Sequence, residues 1–266
     1  MTGPLTGAEL DACSDLIADL AGWASARIAG ERPRPEEIGT KTTAADWVTA
    51  TDLAVERHVR ERVLERFPGH RVVGEELGAI GDDAAPVTWY VDPVDGTTDF
   101  VHGLPFSSFS LVAVDERGPA AGAVADPHRR ELISAVRGRG AHVDGVPARC
   151  SGTDTLTGGI VLTEFVMQSV VPEQLALIQA LAERACVTRI LGSNALSLAS
   201  AAVGRAAGAV LWAYNLVDCQ AGLLIAREAG ARILAASDPP RVGARFACAA
   251  PGVAGVLSEL VFGTGA

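Results

Sequence analysis

Apolar positions with helical spacing stand out in two segments near the start of the chain. Residues 7–30 repeat apolar side chains at intervals of three and four, which predicts an amphipathic helix. Residues 51–66 predict a second helix with Thr51 as its N-cap, ended by FPGH at 67–70. Prolines break the pattern over 31–38, so we expect a loop between the two helices.

Strand-type runs dominate the next part of the chain, separated by Gly, Pro and acidic turns: RVVG, TWYVD, SFSLVAV, AAGAVAD and ELISAV. Beyond position 170, predicted helices over 172–184, 194–204 and 217–230 alternate with the strand-type runs CVTRIL, GAVLWA and ARILAA. This pattern predicts an α+β N-terminal half of about residues 1–150. It predicts an α/β C-terminal half of about 151–266, within a single unit.

The composition and net charge of the chain limit the classes of partner that it can bind. Of the 266 residues, 48% are hydrophobic and 20% are charged, as expected for a folded protein that is not embedded in a membrane. The formal net charge of -10 argues against a nucleic-acid partner, which usually requires a basic face. A phosphate-bearing substrate remains compatible with this charge if metal ions supply the positive field.

The cysteines and the N-terminus bear on localisation. The five cysteines form no CxxC pair and are odd in number, which favours free thiols in a reducing cytoplasm. The start MTGPLTGAELDACSD has neither the basic nor the apolar region of a signal peptide. No run of about 18 apolar residues occurs, so no membrane span is expected. We therefore expect a cytoplasmic protein.

The stretch WYVDPVDGTTDF, residues 89–100, carries the clearest chemistry. A strand-type run leads into Asp92 and Asp95, with Pro93 stiffening the backbone between them. Two hard oxygen donors at such a turn suit Mg²⁺ or Mn²⁺. The following Gly96 and Thr97 allow close backbone approach, and amides at a helix start there would face an anion. The alternative is an acidic, capped turn without a ligand.

Other acids can reach the same crevice. Glu75, in the GEE run after the strand RVV, lies where ligands of α/β sheets gather, although GEE alone also fits a solvated turn. Asp218 and Asp52 each lie at a predicted helix start, where an aspartate commonly serves as a cap.

Taken in order, these motifs resemble the inositol monophosphatase family of Mg²⁺-dependent, lithium-sensitive phosphatases. The resemblance covers about residues 10–250 and rests most of all on DPVDGTT followed by HGLPF. VTATD, GEE, a GxGA turn at 138–141, Gly192-Ser193 and the run from Asp218 to EAG at 228–230 accompany it in the family's order. The resemblance implies a layered α-β-α-β-α sandwich of the inositol monophosphatase and fructose-1,6-bisphosphatase type, and a homodimer.

The resemblance also implies a site. Two or three Mg²⁺ ions, or Mn²⁺, would be held by the side chains of Glu75, Asp92, Asp95 and Asp218 and by the carbonyl of Val94. A metal-activated water would attack the phosphate directly. The catalytic residues implied are Glu75, Thr97 and Asp52, and the substrate-binding residues implied are Gly96, Thr97, Gly192, Ser193, Asn194 and Asp218. For Ser193 and Asn194, N-capping of the next helix is an equal alternative.

Three positions depart from the family pattern. Asp99 stands where Asn is usual, Val217 where Trp is usual, and Leu211 where a Glu usually reaches the substrate hydroxyls. No metal ligand is lost. An apolar side chain cannot accept a hydrogen bond from a hydroxyl, so Leu211 argues against inositol phosphate itself as the best substrate.

The function expected is therefore Mg²⁺-dependent hydrolysis of a small phosphate monoester, foremost an inositol-1-phosphate-like polyol or cyclitol phosphate. Histidinol phosphate, fructose bisphosphate and other sugar phosphates are alternatives on the same fold, and a 3′-phosphonucleotide fits less well. A different class of function is a metal-binding relative without catalysis.

Overall fold

A computed structural model describes residues 3–41, 47–165 and 171–263. Its helices begin and end close to the predicted positions where the apolar spacing is regular. They are α1 (Gly7–Gly30), α2 (Ala50–Arg66), α3 (Thr97–His102), α4 (Pro172–Glu183), α5 (Asn194–Ala202), α6 (Leu216–Glu228) and α7 (Ala254–Phe262).

The N-cap of α2 is Thr49, so the prediction of Thr51 is wrong. Thr49 and Asp52 form a capping box: the Thr49 hydroxyl accepts from the Asp52 amide at 3.4 Å, and Asp52 Oδ2 accepts from the Thr49 amide at 2.8 Å. A capping box needs an acceptor three residues after the cap, and only Thr49 has one. The Thr51 hydroxyl instead donates to Glu31 Oε2 at 2.7 Å. The expected loop over 31–38 contains a 3₁₀ turn at Pro35–Glu37.

Two short strands, β1 (Ile38–Thr40) and β2 (Trp47–Thr49), pair antiparallel before α2. An eight-stranded sheet follows, in the order β10-β9-β8-β7-β6-β5-β3-β4. Its strands are β3 (Arg71–Gly74), β4 (Gly78–Ile80), β5 (Thr88–Asp95), β6 (Ser108–Asp115), β7 (Gly118–Asp126), β8 (Glu131–Val136), β9 (Ala141–Val143) and β10 (Val146–Ala148). The pair β3 and β5 is parallel, and the other pairs are antiparallel.

A five-stranded mixed sheet is built from the second part of the chain, in the order β12-β11-β13-β15-β14. Its strands are β11 (Ile160–Glu164), β12 (Val187–Arg189), β13 (Gly208–Leu211), β14 (Arg232–Leu234) and β15 (Phe246–Ala249). The strand β11 runs parallel to both β12 and β13.

Successive side chains on a strand point to opposite faces of its sheet, so each sheet contributes to an apolar cluster on both sides. Three such clusters hold the helices and sheets together in layers. On β6, Leu111 packs into a cluster with α1 and α2, whereas Val112 packs into one with α5 and α6. On β13, Leu211 joins the α5 and α6 cluster, and Val210 joins one with α4 and α7. From one side of the molecule to the other, the layers are therefore helices α1 and α2, the eight-stranded sheet, helices α5 and α6, the five-stranded sheet, and helices α4 and α7. The predicted α-β-α-β-α sandwich is confirmed.

Strand pairing brings the predicted acids together. Gly74 at the end of β3 pairs with Val91 of the parallel strand β5, so Glu75, which follows β3, lies beside Asp92 of β5. The register of β5 against β6 shifts between Asp92 and Asp95, as at a β-bulge. Among the described helices, none combines the length and the apolar character needed to cross a membrane.

Candidate active site

The end of β5 forms the floor of the site. Asp92 and Asp95 are 2% and 6% exposed, and the Val94 amide donates to Asp92 Oδ1 at 3.0 Å. Asp92 also interacts with the side chain of Glu75. The Val94 carbonyl accepts from the Thr97 hydroxyl at 3.0 Å and borders the same cavity.

Asp218 is brought to this floor by the first turn of α6. Asn215 is the N-cap of α6: its Oδ1 accepts from the Asp218 amide at 2.8 Å, and its Nδ2 donates to Asp218 Oδ2 at 2.5 Å. Nδ2 of Asn194 donates to the same carboxylate oxygen at 3.0 Å. Oxygens of Asp92, Asp95 and Asp218 then lie within 4.8 Å of one another. Asp218 is therefore a side chain of the first turn, and the cap is Asn215.

Asp95 is fixed by the N-terminus of α5. Its Oδ2 accepts from the Ser193 hydroxyl at 2.5 Å and from the Ala195 amide at 2.6 Å. Ser193 also accepts from the Leu196 amide at 3.1 Å, which makes it the N-cap of α5, and it is fully buried. Of the two roles considered for Ser193, the structure shows the capping role. Asn194 borders the cavity next to Asp218, whereas Ser193 holds Asp95 from behind.

Glu75 is contacted by a lysine from the segment before α2. Lys41 Nζ lies 2.8 Å from Oε1 of Glu75 and 2.8 Å from Oε1 of Glu76. Burial opposes the charge of Lys41, but its two carboxylate neighbours outweigh burial and raise the pKa of the amine. Burial raises the pKa of Glu76 to about 7. Lys41 thus holds a position directly beside the acids.

The electrostatics of the site favour a cation. Burial raises the pKa values of Asp92, Asp95 and Glu75, and repulsion from Asp218 adds to the effect in all three. For Asp92, Glu75 is an even stronger repelling neighbour. A divalent cation would remove both costs, and the donors present are hard oxygens of the kind that Mg²⁺ and Mn²⁺ bind. The residues therefore fit the metals that the sequence resemblance implies.

A hydroxyl and a carboxylate meet beside this cluster. The Thr97 hydroxyl lies 3.4 Å from Oδ1 of Asp52, whose other oxygen is engaged in the α2 capping box. Asp52 is fully buried, and burial raises its pKa. The α2 capping box thus holds one oxygen of Asp52 rigidly and turns the other toward Thr97.

The acids Glu75, Asp92, Asp95 and Asp218 border a cavity of about 520 Å³, together with Thr97. Gly96 caps α3 with φ at 90°, and a Cβ there would lie 2.9 Å from the Phe106 carbonyl oxygen. Glycine is required for both reasons. Away from the acids the cavity is bordered by the apolar side chains of Phe165, Ile190 and Trp212, and by Trp47, whose ring lies 5.3 Å from that of His102.

Two further carboxylates border the cavity around Gly192. Glu164, at the end of β11, is 5% exposed and accepts from the amides of Leu191 at 3.0 Å and Gly192 at 2.8 Å. Burial raises its pKa to about 7. A Cβ on Gly192 would lie 2.1 Å from Oδ2 of Asp99, so Asp99 lies directly against this glycine. No sequence motif pointed to Glu164, because its partners Leu191 and Gly192 lie 27 and 28 residues later in the chain.

Leu211 does not reach the cavity. It is fully buried at the end of β13, where it pairs with Phe246 and packs in the cluster with α5 and α6. The structure therefore places Glu75, Asp92, Val94, Asp95, Gly96, Thr97, Gly192, Asn194 and Asp218 around one cavity. Asp52 and Ser193 lie behind it, one against Thr97 and the other against Asp95.

The layered fold and the buried cluster of carboxylate oxygens are those expected of a metal-dependent phosphatase. The model of the inositol monophosphatase family matches residues 10–262, so the chain belongs to that family and is a phosphoric monoester hydrolase. It is 37% identical over 232 residues to inositol-1-monophosphatase SuhB of Mycobacterium tuberculosis, covering 83% of this chain and 79% of the relative. It is 38% identical over 187 residues to Nus factor SuhB of Haemophilus influenzae, covering 70% of each.

A solved structure of the same fold is an IMPase/NADP phosphatase in complex with Mg²⁺ and phosphate. It superposes with a TM-score of 0.80 at 20% identity, over 96% of this chain and 97% of that one. The similarity to inositol-1-monophosphatase supports phosphatase chemistry. It does not select the ester, because the names of the other two proteins give either a further substrate or none.

Proposed function

We propose that this protein hydrolyses a small phosphate monoester with Mg²⁺, foremost an inositol-1-phosphate-like polyol or cyclitol phosphate. The observation that carries the proposal is the convergence of Asp92, Asp95 and Asp218 within 4.8 Å, with Glu75 leaving the adjacent strand. A buried cluster of carboxylates costs folding free energy unless a cation binds it.

The ligands divide between two metal positions. Glu75, Asp92 and the Val94 carbonyl would hold one ion, and Asp92, Asp95 and Asp218 would hold another. A third ion near Glu75 would have to displace or share with Lys41. When bound, Mg²⁺ lowers the pKa of a coordinated water and neutralises charge on the phosphate and on the leaving oxygen. Mn²⁺ suits the same oxygen ligands.

The pair Thr97 and Asp52 would orient the attacking water and accept its proton. The Thr97 hydroxyl can donate to Asp52 Oδ1 or to the Val94 carbonyl, which leaves its oxygen lone pairs free to accept from the water. Burial raises the pKa of Asp52, which makes this carboxylate a better proton acceptor than an exposed aspartate. The amides of Gly96 and Thr97, at the start of α3, would bind phosphate oxygens.

The substrate's other end would lie against Gly192, Asn194, Asp99 and Glu164. Carboxylates accept hydrogen bonds from hydroxyls, so Asp99 and Glu164 can supply what Leu211 cannot. The same pair favours a second candidate, an amine-bearing ester such as histidinol phosphate, because two carboxyl groups beside the apolar Phe165, Ile190 and Trp212 suit a cation on an apolar body.

A binding role without turnover is the remaining alternative, and one similar protein is named a Nus factor. Retention of every proposed metal ligand favours catalysis. We also propose a homodimer in the cytoplasm, in keeping with the free thiols of the chain; light scattering at working concentration tests the dimer.

The test is phosphate release with Mg²⁺ from inositol 1-phosphate, histidinol phosphate, fructose 1,6-bisphosphate and 3′-phosphoadenosine 5′-phosphate, compared by kcat/KM. The proposal expects the cyclitol phosphate to lead. A lead for histidinol phosphate would select the second candidate. No release from any ester, with no Mg²⁺-dependent thermal shift, would contradict both.

A further inference from the structure

A fully buried glutamate lies beneath the turn that carries Glu75. Glu56 is on α2 and is 0% exposed. The turn it contacts joins β3 to β4, where Gly74 pairs with Gly78 and leaves Glu75, Glu76 and Leu77 between them. A carboxylate this deeply buried is costly unless each oxygen has partners.

The partners of Glu56 are the backbone of that turn. Its Oε2 accepts from the Glu76 amide at 2.7 Å, and its Oε1 accepts from the Leu77 amide at 3.0 Å. The third amide of the turn, that of Glu75, donates to the Val91 carbonyl of β5 at 3.3 Å. All three turn amides therefore have fixed acceptors, and two of them are on one side chain.

An arginine completes the arrangement. Arg60, one turn further along α2, lies 2.7 Å from Oε1 of Glu56 and donates to the Gly78 carbonyl at 2.6 Å. It compensates the buried charge and ties the far end of the turn to the same helix. Charge-assisted hydrogen bonds of this kind are stronger than neutral ones.

The backbone beside the carboxylate is shaped to admit it. A Cβ on Gly74 would lie 2.0 Å from Oε1 and 2.1 Å from Cδ of Glu56. The carboxylate thus occupies the space that any other residue at 74 would fill. Close fit, two amide hydrogen bonds and an ion pair together leave the turn little freedom.

We infer that Glu56 is a positioning residue that aims Glu75 at the metal site through the backbone of the turn. The inference rests on the proposed role of Glu75 as a metal ligand. Partners behind a metal ligand orient it, and losing one typically weakens metal binding by about 10- to 100-fold. Glu56 itself touches neither substrate nor metal.

The test is Mg²⁺ affinity by isothermal titration of the full-length protein, without substrate. Glu56→Gln keeps the shape but turns an NH₂ group toward a backbone amide that needs an acceptor. We expect Mg²⁺ to bind about 10- to 100-fold more weakly. Glu61→Gln, an exposed glutamate on the same helix, is the matched control and should bind Mg²⁺ like the wild type.

Gly74→Ala is the second variant, because it pushes the Glu56 carboxylate aside while keeping every charge. It should weaken Mg²⁺ binding in the same direction. A merely structural role would lower the unfolding temperature of the metal-free variants and leave their Mg²⁺ affinity unchanged, and that result would overturn the inference.

Glu75→Gln separates this failure from failure of the proposed function. If Glu75→Gln weakens Mg²⁺ binding while Glu56→Gln and Gly74→Ala do not, the positioning role alone is wrong. If Glu75→Gln binds Mg²⁺ as the wild type does, the proposed ligand set is wrong, and the positioning role is overturned with it.

Discussion

The Thr97 hydroxyl lies 3.4 Å from Oδ1 of Asp52, although the two residues are 45 positions apart in the chain. The start of α2 supplies one partner and the start of α3 the other. The capping box of α2 holds the second oxygen of Asp52. One oxygen of this carboxylate therefore has a structural role, and the other has a proposed catalytic role.

Removing the Thr97 hydroxyl should therefore slow chemistry without weakening metal binding. Thr97→Val is expected to lower kcat by roughly 10²- to 10⁴-fold, the usual effect of losing a positioned proton-transfer group. Steady-state kinetics with a parallel Mg²⁺ titration measures both. Thr97→Ser is the matched control and should retain most of the activity. Equal kcat values for Thr97→Val and the wild type would remove this pair from the mechanism.

Asp92→Asn should abolish turnover and stabilise the metal-free protein. The pKa values of Asp92 and Asp95 are higher in the native protein than in the unfolded chain, so the native protein binds more protons. The free energy of unfolding therefore falls as pH rises from the unfolded-state pKa to the native-state pKa. Because Asp92→Asn removes one repelling charge, it should raise the free energy of unfolding of the metal-free protein by roughly 1–3 kcal/mol at neutral pH.

Denaturant unfolding in a chelator measures this prediction from about pH 4, near the ordinary aspartate pKa, up to about pH 8. The gain of Asp92→Asn over the wild type should grow with pH and vanish at the acidic end. A variant less stable than the wild type at neutral pH would show that repulsion does not dominate the site.

Asp99→Asn should separate the two substrate candidates. The amide still accepts a hydrogen bond but carries no charge, so a neutral polyol ester should be hydrolysed as before. For an amine-bearing ester, kcat/KM should fall about fivefold, the scale of one half-exposed charge pair. Competition between inositol 1-phosphate and histidinol phosphate in one reaction gives the ratio directly. An unchanged ratio would place the substrate away from Asp99.

Glu164 should add a pH dependence to the same ratio. Its pKa of about 7 means that its negative charge appears as pH rises through neutrality. Preference for the amine-bearing ester should rise over that range, and Glu164→Gln should flatten the rise. Both esters carry a phosphate group that titrates in this range, and the effect of that titration cancels in the ratio of their kcat/KM values. A rise that persists in Glu164→Gln would come from another group.

Lithium should inhibit turnover. A small hard cation can compete for the position between Asp95 and Asp218, which we expect at tens of millimolar or below, roughly the range of competition at an oxygen site. Initial rates across a Li⁺ series at fixed Mg²⁺ measure it, with Cs⁺ as the control for ionic strength. Rates unaffected by Li⁺ would show that this position differs from the family's.

Local patterns predicted much of this arrangement. DPVDG marks the end of β5, and GEE follows β3; parallel pairing of these two strands is what unites Glu75 with Asp92. Regular apolar spacing located α1, which buries one face against the eight-stranded sheet. The apolar, small-residue run over 217–230 located α6, which is buried almost throughout because it lies between the two sheets.

The parts that escaped prediction depend on contacts distant in sequence. Glu164 is held beside the cavity by hydrogen bonds from the amides of Leu191 and Gly192, which lie 27 and 28 residues later in the chain. Thr49 outcompetes Thr51 as a cap because of Asp52, and Asn215 displaces Asp218 from the cap position. The strand β15 and helix α7 lie in a mostly apolar, Gly- and Ala-rich stretch without a clear helical or strand period.

The central claim is that buried carboxylates bind Mg²⁺ to hydrolyse a phosphate monoester. The most direct measurement is the rate of phosphate release from the best ester of the panel as Mg²⁺ is added back to chelator-treated protein, for the wild type and Asp92→Asn. We predict no release in chelator, saturable recovery in the wild type and none in the variant. Release that persists in chelator, or full recovery in Asp92→Asn, would contradict the account.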